Sequence, residues 1–184
     1  MPRPSESLVP AAYALLGLLA GGSAHGYDLH RPFARGGALA DVCRLPLNQH
    51  YALLKQLQRR GLAAATGVET SGAAPPRRRL AITPAGQAAL TTWLATPVPH
   101  TRDVRLEFLL KLYFAGRLAP AQRWPLLEAQ IGLTRALITR LEREAAALSS
   151  QAPGEFHRLV VDMRLRQNRA VLAWLEATLA APAA

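Results

Sequence analysis

The chain has 184 residues, half of them hydrophobic, and a formal net charge of +10. This length and apolar content support a sizeable core and exclude a disordered chain. A sequence pI of about 11.1 favours an anionic partner, nucleic acid before membrane. A single cysteine, Cys43, excludes an intrachain disulfide framework and is typical of a cytoplasmic protein, and no apolar run long enough to span a membrane is present.

Two helices are predicted at the start of the chain. Residues 8–20 are apolar on nearly all sides, which is typical of a buried helix, and a Gly-Gly pair follows them. Residues 24–35 alternate apolar and polar side chains and are predicted to form the second helix. Pro32 lies inside this segment, so it either kinks the helix or marks a short first turn.

Residues 46–60 are predicted to form the third helix, around which the rest of the chain is organised. Pro46 suits the first helical position, and Gly61 suits the position just beyond the last turn. Apolar residues at helical spacing are predicted to face the core: Leu47, Tyr51, Leu53, Leu54 and Leu57. The opposite face is polar and basic: Asn48, Gln49, His50, Lys55, Gln56, Arg59 and Arg60.

That polar face has the chemistry of a DNA-recognition helix. We predict that Asn48, Gln49 and His50 read base edges, because side chains near a helix N-terminus enter the major groove first and amides pair with bases there. Lys55, Arg59 and Arg60 are predicted to hold phosphate or to be solvated. Tyr51 either touches a phosphate through its hydroxyl or packs in the core. An ordinary amphipathic helix with a solvated polar face is the alternative.

A β-hairpin wing is predicted after this helix, with strands at 62–68 and 77–82 and a flexible turn at 71–76. Alternation along the second strand places Leu80 and Ile82 on one face and Arg77 and Arg79 on the other. The wing arginines are predicted to reach a minor groove or flanking phosphates: Arg77, Arg78 and Arg79.

The order helix, helix, helix, hairpin, helix predicts a mainly α fold that begins with a winged helix-turn-helix. Thr83 is the predicted cap of the fourth helix, which runs to about residue 96. Residues 97–99 read Pro-Val-Pro and mark a hinge. We therefore predict a DNA-binding domain at residues 1–96 and a helical C-terminal domain for dimerisation and effector binding at 97–184.

Three further helices are predicted, at 104–115, 120–149 and 155–180. Apolar residues on the second of them follow a heptad spacing over about three repeats, which favours pairing with a second copy about a twofold axis. Packing within one chain is the alternative. The residues predicted to make the dimer are Leu127, Ile131, Ile138, Leu141, Leu148 and Trp174.

Several motifs follow one another in a fixed order. They are LLGLL at 15–19, HGYDL at 25–29, YALLKQL at 51–57 with RGL at 60–62, ITPAG at 82–86, EFLLKL at 107–112 and WLE at 174–176. This combination resembles the PadR family of bacterial winged-helix transcriptional regulators, in its type with a longer helical C-terminal region. The resemblance implies a homodimeric repressor that binds a palindromic DNA operator and is released by a small aromatic effector.

Trp93 and Phe108 are the candidates for binding that effector, and packing in the core is the alternative for most of the aromatic residues. Cys43 stands beside Arg44, so redox sensing and inert packing both remain open. The histidines are scattered, so no metal or cofactor is predicted. No phosphate loop, nucleophile elbow or carboxylate pair indicates an enzyme. The alternative function is a helical scaffold protein with a winged-helix fold that does not read DNA.

Overall fold

The computed structural model describes residues 8–69, 77–148 and 154–181. In chain order the elements within these ranges are α1 (Pro10–Ala20), β1 (Ala24–His25), a 3-10 helix (Asp28–Phe33), α2 (Leu47–Arg59), β2 (Ala63–Glu69), β3 (Arg77–Ile82), α3 (Pro84–Ala95), α4 (Thr101–Asp103), a π-helical turn (Val104–Phe108), α5 (Leu109–Leu118), α6 (Pro120–Leu148) and α7 (Glu155–Ala180). The three strands form an antiparallel sheet in the order β1–β3–β2. The predicted fold, a winged helix followed by C-terminal helices, is confirmed.

Helix α1 lies at the centre of the first hydrophobic core. Leu15 and Leu16 are completely buried, and the same cluster contains Leu57 from α2 and Leu90 from α3. A helix that is apolar on nearly all sides is stable only when other elements surround it. The prediction of a buried first helix is therefore confirmed.

The second predicted helix is wrong over most of its length. Its first two residues form β1, in which Ala24 pairs with Leu80 and His25 pairs with Arg79. The 3-10 helix that follows contains Pro32, which lacks a backbone N–H and cannot serve as a helical donor. The helical segment is thus a single short piece rather than an α-helix.

The wing has the predicted hairpin strands, with a register shift between Ala65 and Gly67. Its predicted turn at 71–76 lies outside the described residues. Thr83 caps α3, because its Oγ1 accepts a hydrogen bond from the backbone N–H of Gly86 at 3.1 Å. Gly61 has φ +69°, the left-handed conformation that glycine adopts readily after a helix.

The C-terminal region is joined to the first core by α5. Leu110 and Phe114 belong to the same buried cluster as α1, and a Cβ added at Gly17 would lie 2.5 Å from the Phe114 ring. The predicted hinge is also anchored. Val98 is buried, its N–H donates to Gln130 Oε1 at 2.8 Å, and its carbonyl accepts from Gln130 Nε2 at 3.1 Å.

Helices α6 and α7 form an antiparallel pair within one chain. Ile138 and Leu141 pack with Val161 and Leu165 of α7 in one buried cluster. In another cluster, Leu127 and Ile131 pack with Leu175. Leu148 is partly buried against the first of these clusters.

The prediction that the heptad seam meets a second chain is therefore wrong for Leu127, Ile131, Ile138 and Leu141, which are buried within one chain. For the partly buried Leu148 it stays a prediction. Helix α7 has 26 residues and is long enough to cover the seam itself. Ion pairs between the two helices, Arg135–Glu176 and Arg169–Glu142, both at 2.7 Å, border the packed face. Among the described helices, none combines the length and apolar character needed to cross a membrane.

Candidate DNA-binding surface

Helix α2 is rotated relative to the sequence-based prediction. Its buried residues are His50, Leu53, Leu54 and Leu57, which follow the i, i+3, i+4, i+7 spacing of a core face. Leu47 is 46% exposed and Tyr51 is 42% exposed, although both were predicted to face the core. The leucines fit either rotation, so the pattern of apolar residues alone did not fix the orientation of the helix.

The assignment of His50 to base reading is wrong, because its side chain is 0% exposed. Its Nε2 donates to the carbonyl oxygen of Gly26 at 2.7 Å, and burial lowers the pKa of the imidazole. His30 supports it from the 3-10 helix, with ring centroids 5.2 Å apart, and its own Nε2 lies 2.8 Å from the carbonyl oxygen of Leu45. The two histidines thus fix the start of α2 against the segment before it.

The exposed ridge of α2 carries Asn48, Lys55 and Arg59, which lie one above another along the helix. At the start of the helix, Asn48 Oδ1 accepts a hydrogen bond from the backbone N–H of Gln49 at 2.8 Å. Gln49 is also exposed, on the flank of this ridge. Arg60 caps the C-terminal end of α2 and is exposed.

A cavity of about 620 Å³ lies between α2, the segment after β1 and the wing. Its polar and charged lining residues are His25, Tyr27, Asp28, Tyr51, Lys55, Gln58 and Arg78, and Gly26, Leu54 and Leu80 complete the wall. Gly26 lies close to α2, since a Cβ placed there would be 3.3 Å from Tyr51 Cε1. The cavity therefore brings helix and wing cations together with phenol hydroxyls, a set of donors that suits a phosphate.

Tyr27 and Gln58 are members of this cavity that the sequence analysis did not single out. Tyr27 is 66% exposed, which is unusual for so large a ring. Its position in the HGY motif was a signal that could have indicated it.

The three wing arginines lie in different environments. Arg78 is exposed and lines the cavity together with Leu80, two residues along the same face of β3. Arg79 faces the other way, where its guanidinium donates to Ser23 through Nη2–O at 2.7 Å and Nε–Oγ at 3.3 Å. Arg77 is paired with Glu69 in the strand register, and its side chain lies outside the described residues.

A second cavity, of about 490 Å³, adjoins Trp93. The Trp93 ring stacks on Tyr13 with centroids 4.8 Å apart, and its Nε1 donates to Glu107 Oε1 at 2.8 Å. Lys111 is buried beside it, donates to the carbonyl oxygen of Thr96 at 2.6 Å and pairs with Glu107 at 3.1 Å. The cavity thus has an aromatic wall and a charged pair.

Phe108 does not line the Trp93 cavity, so its assignment to the same effector site is wrong. The ring is completely buried in the second core and meets Trp174 edge-on with centroids 6.3 Å apart. Neighbouring residues of one helix face different directions, and Glu107 rather than Phe108 points toward Trp93.

Cys43 is a packed residue of the first core rather than a reactive thiol. It is buried, and burial raises the pKa of its thiol despite the neighbouring Arg44. Within the part of the chain that the structure describes, no three His, Cys, Asp or Glu side chains come together as a metal site would require.

Comparisons with known proteins agree with this architecture. The family model Virulence activator alpha C-term matches residues 104–181. The Negative transcriptional regulator PadR of Bacillus subtilis (strain 168) is 28% identical over 176 residues, which cover 91% of this chain and 94% of the relative.

Two solved structures of Bacillus subtilis PadR are also similar to this chain. The complex with operator DNA is 27% identical, covers 97% of this chain and 99% of that one, and has a TM-score of 0.47. The complex with p-coumaric acid is 27% identical, covers 94% and 98%, and has a TM-score of 0.43. Over nearly its whole length the chain is therefore similar in sequence to the PadR winged-helix transcriptional regulators, and over residues 104–181 it matches the virulence activator alpha C-terminal family.

Proposed function

We propose that the chain is a sequence-specific DNA-binding transcriptional regulator, a repressor, that acts in the cytoplasm as a homodimer on a palindromic operator. The observation that carries the proposal is the cavity between α2 and the wing, where Lys55, Arg78 and two tyrosines surround a space open to solvent. Cations and hydroxyls beside a recognition helix suit the phosphates that flank a bound major groove. The curated relative's description as a negative regulator supports repression rather than activation.

The DNA contacts divide between bases and phosphates. Asn48 and Gln49 read base edges from the start of α2, where both are exposed. Lys55 and Arg59 hold the backbone from the same ridge, and Arg78 holds it from the wing. Arg60, at the end of α2, and Arg77, on the wing, remain candidate phosphate contacts.

Tyr27 and Tyr51 join this set through their hydroxyls. Tyr27 is 66% and Tyr51 42% exposed at the cavity, and phenol hydroxyls donate hydrogen bonds to phosphate oxygens. Arg79 is not included among the proposed DNA contacts, because its guanidinium is already hydrogen-bonded to Ser23. These hydrogen bonds stiffen the edge between β1 and β3.

The dimer interface proposed here is the outward face of α7. Phe156 is 77% exposed, and Leu159, Met163 and Trp174 are exposed on the same side of the helix, opposite the face that packs on α6. Large apolar side chains exposed together on one face are typical of contacts with another protein. A second copy is the fitting partner, because a stripe meeting itself about a twofold axis places two recognition helices on two half-sites.

The effector site proposed here is the cavity beside Trp93. An aromatic molecule would stack in the space next to the Tyr13–Trp93 pair, and Lys111 and Glu107 would orient a polar substituent. Titration of the full chain with aromatic acids, followed by tryptophan fluorescence, tests it. Quenching that is lost in Trp93→Phe and retained in Trp124→Phe supports the site, whereas no quenching in the wild type contradicts it.

We propose no enzymatic activity. The chain divides by function into residues 1–96, which contact DNA, and residues 97–184, which form the dimer.

The competing function is a scaffold protein that uses a winged helix without reading DNA. Footprinting on the region upstream of the chain's own gene, at a low and a high salt concentration, separates the two. A protected pair of half-sites at both concentrations supports the regulator. Binding without sequence preference that disappears at high salt supports the scaffold.

A further inference from the structure

A polar cavity of about 340 Å³ lies in the C-terminal region and is lined by the segment after α3, by α6 and by α7. Its charged or titratable lining residues are His100 and Arg102 from that segment, Arg140 from α6 and Arg164 from α7. None of the described residues that line it carries a carboxylate. Three guanidinium groups therefore border a single small space.

Within the described ranges, some arginines of the same two helices are paired with carboxylates, whereas Arg140 and Arg164 are not, like Arg143 and Arg158 elsewhere on these helices. Arg135, Arg166 and Arg169 each pair with a carboxylate at 2.7 or 2.8 Å. Among the described residues, Arg140 and Arg164 form no ion pair, and Arg102 has only its chain neighbour Asp103 at 3.6 Å. Like charges gathered without counter-ions repel one another, and an anion between them relieves that repulsion.

A rigid polar frame holds the cavity in shape. Asn168 is buried, its Oδ1 accepts from Thr101 Oγ1 at 2.6 Å, and its Nδ2 donates to the carbonyl oxygen of Arg164 at 2.7 Å. These bonds tie the segment after α3 to the turn of α7 that carries Arg164. A ligand would therefore meet side chains whose backbone is already fixed, which lowers the entropic cost of binding.

We propose that this cavity binds a small organic anion with at least two oxyanion groups, a phosphate ester or a polycarboxylate, with Arg140 and Arg164 as its main ligands. The planar guanidinium fork matches the oxygens of phosphate and carboxylate alike. The volume lies at the lower end of the range for small-molecule sites, which is about 300–1,000 Å³, so it excludes a macromolecule.

This site is separate from the surface proposed for DNA and from the Trp93 cavity, since it shares no lining residue with the former and only Pro99 with the latter. Its ligand would bridge two parts of the molecule. Arg102 belongs to the segment that leads out of the winged helix, whereas Arg140 and Arg164 belong to the α6–α7 pair. A bound anion therefore holds the segment against the helices more firmly.

Calorimetry on the full chain tests the proposal, with sodium pyrophosphate and sodium citrate as separate probes at constant ionic strength. We expect one of them, or both, to bind the wild type saturably at one site per chain. Arg140→Gln/Arg164→Gln should weaken that binding about tenfold or more, because it removes two charge-assisted contacts. The matched control, Arg105→Gln/Arg143→Gln, removes the same charge from exposed positions outside the cavity and should bind as the wild type does.

Three results would overturn the site. They are no saturable binding of either probe by the wild type, an equal loss in the double variant and its control, and a loss in Lys55→Gln/Arg78→Gln while Arg140→Gln/Arg164→Gln binds normally. The last result would place the anion on the surface around α2. Circular dichroism checks the fold of each variant. If the double variant unfolds, Arg140→Gln alone, at an exposed position, must still weaken binding.

Discussion

The surface around α2 and the outward face of α7 both expose large side chains, but the chemistry of the two differs. Around α2 the exposed rings are tyrosines, Tyr27 and Tyr51, and they stand beside Lys55 and Arg78. On α7 the exposed large hydrophobic residues are Phe156, Leu159, Met163 and Trp174, of which only the tryptophan carries a hydrogen-bonding group. A phenol beside cations suits a hydrated polyanion, whereas a stripe of carbon atoms suits a dry protein contact.

The largest expected effect comes from charging the α7 face. Leu159→Asp/Met163→Asp should produce a monomer, because two carboxylates would have to be buried in the dimer. Operator affinity should then fall by about 100-fold or more, since each half-site binds alone. Sedimentation velocity and a gel-shift titration measure the two effects.

The control for that variant is Ala129→Asp/Ala136→Asp, which adds the same charge to exposed positions on the outer side of α6. It should remain dimeric and bind the operator as the wild type does. A dimeric Leu159→Asp/Met163→Asp chain would show that the α7 face is not the interface.

The next effect concerns the cations of the α2 surface. Lys55→Ala/Arg78→Ala should weaken binding to all DNA sequences by a similar factor. The slope of log affinity against log salt should become shallower by about 2, because two phosphate contacts are lost. Arg105→Ala/Arg143→Ala is the charge-matched control. An unchanged slope with altered sequence preference would instead assign Lys55 and Arg78 to bases.

A smaller effect is expected from the phenol hydroxyls. Tyr27→Phe and Tyr51→Phe each keep the ring and remove one donor, so each should cost about 0.5–1.5 kcal/mol of binding free energy. Tyr113→Phe, far from the cavity, serves as the control. If both variants bind the operator with wild-type affinity, the tyrosine hydroxyls do not contact DNA. The tyrosines would then not distinguish the surface around α2 from the α7 face.

The smallest effect is a pH dependence of folding. Burial lowers the pKa of His50 from its ordinary value of 6.5, so below that pH the unfolded chain takes up a proton more readily than the folded chain. The free energy of unfolding should therefore fall as the pH drops below 6.5. Urea titrations from neutral to mildly acidic pH should show a shallower fall for His50→Gln. An equally steep fall would assign the pH dependence to other groups.

The sequence predicted the order of the elements better than it predicted their rotation. Gly61, Thr83 and Pro120 mark helix ends through local chemistry, so those boundaries were found. The orientation of α2 depends on a hydrogen bond between His50 and Gly26, which are 24 residues apart. No local pattern reveals such a bond, and a histidine that follows two amide residues is easily taken for a surface residue.

In the candidate sites, too, features that depend on local sequence could be predicted, and features that depend on distant residues could not. The chemistry of Lys55 and Arg78 could be predicted, because an exposed cation on a recognition helix or a wing needs no distant partner. Arg79 is held by a hydrogen bond to Ser23, whereas Arg78 lines the cavity. The sequence could not predict this difference, because only the folded sheet brings Ser23 near Arg79. Likewise, the heptad spacing of α6 was found, but a repeat alone does not tell whether its partner helix belongs to the same chain or to another.

The contact between Gly17 and Phe114 has a practical consequence for dissecting the molecule. Ending the chain at residue 96 would remove Leu110 and Phe114 and leave a strip of α1 facing water. Such a fragment would be prone to self-association, and its weak DNA binding would reveal little about the intact protein. A fragment ending after Leu118 retains that cover. The smallest transplantable DNA-binding unit of this chain is therefore longer than its winged helix.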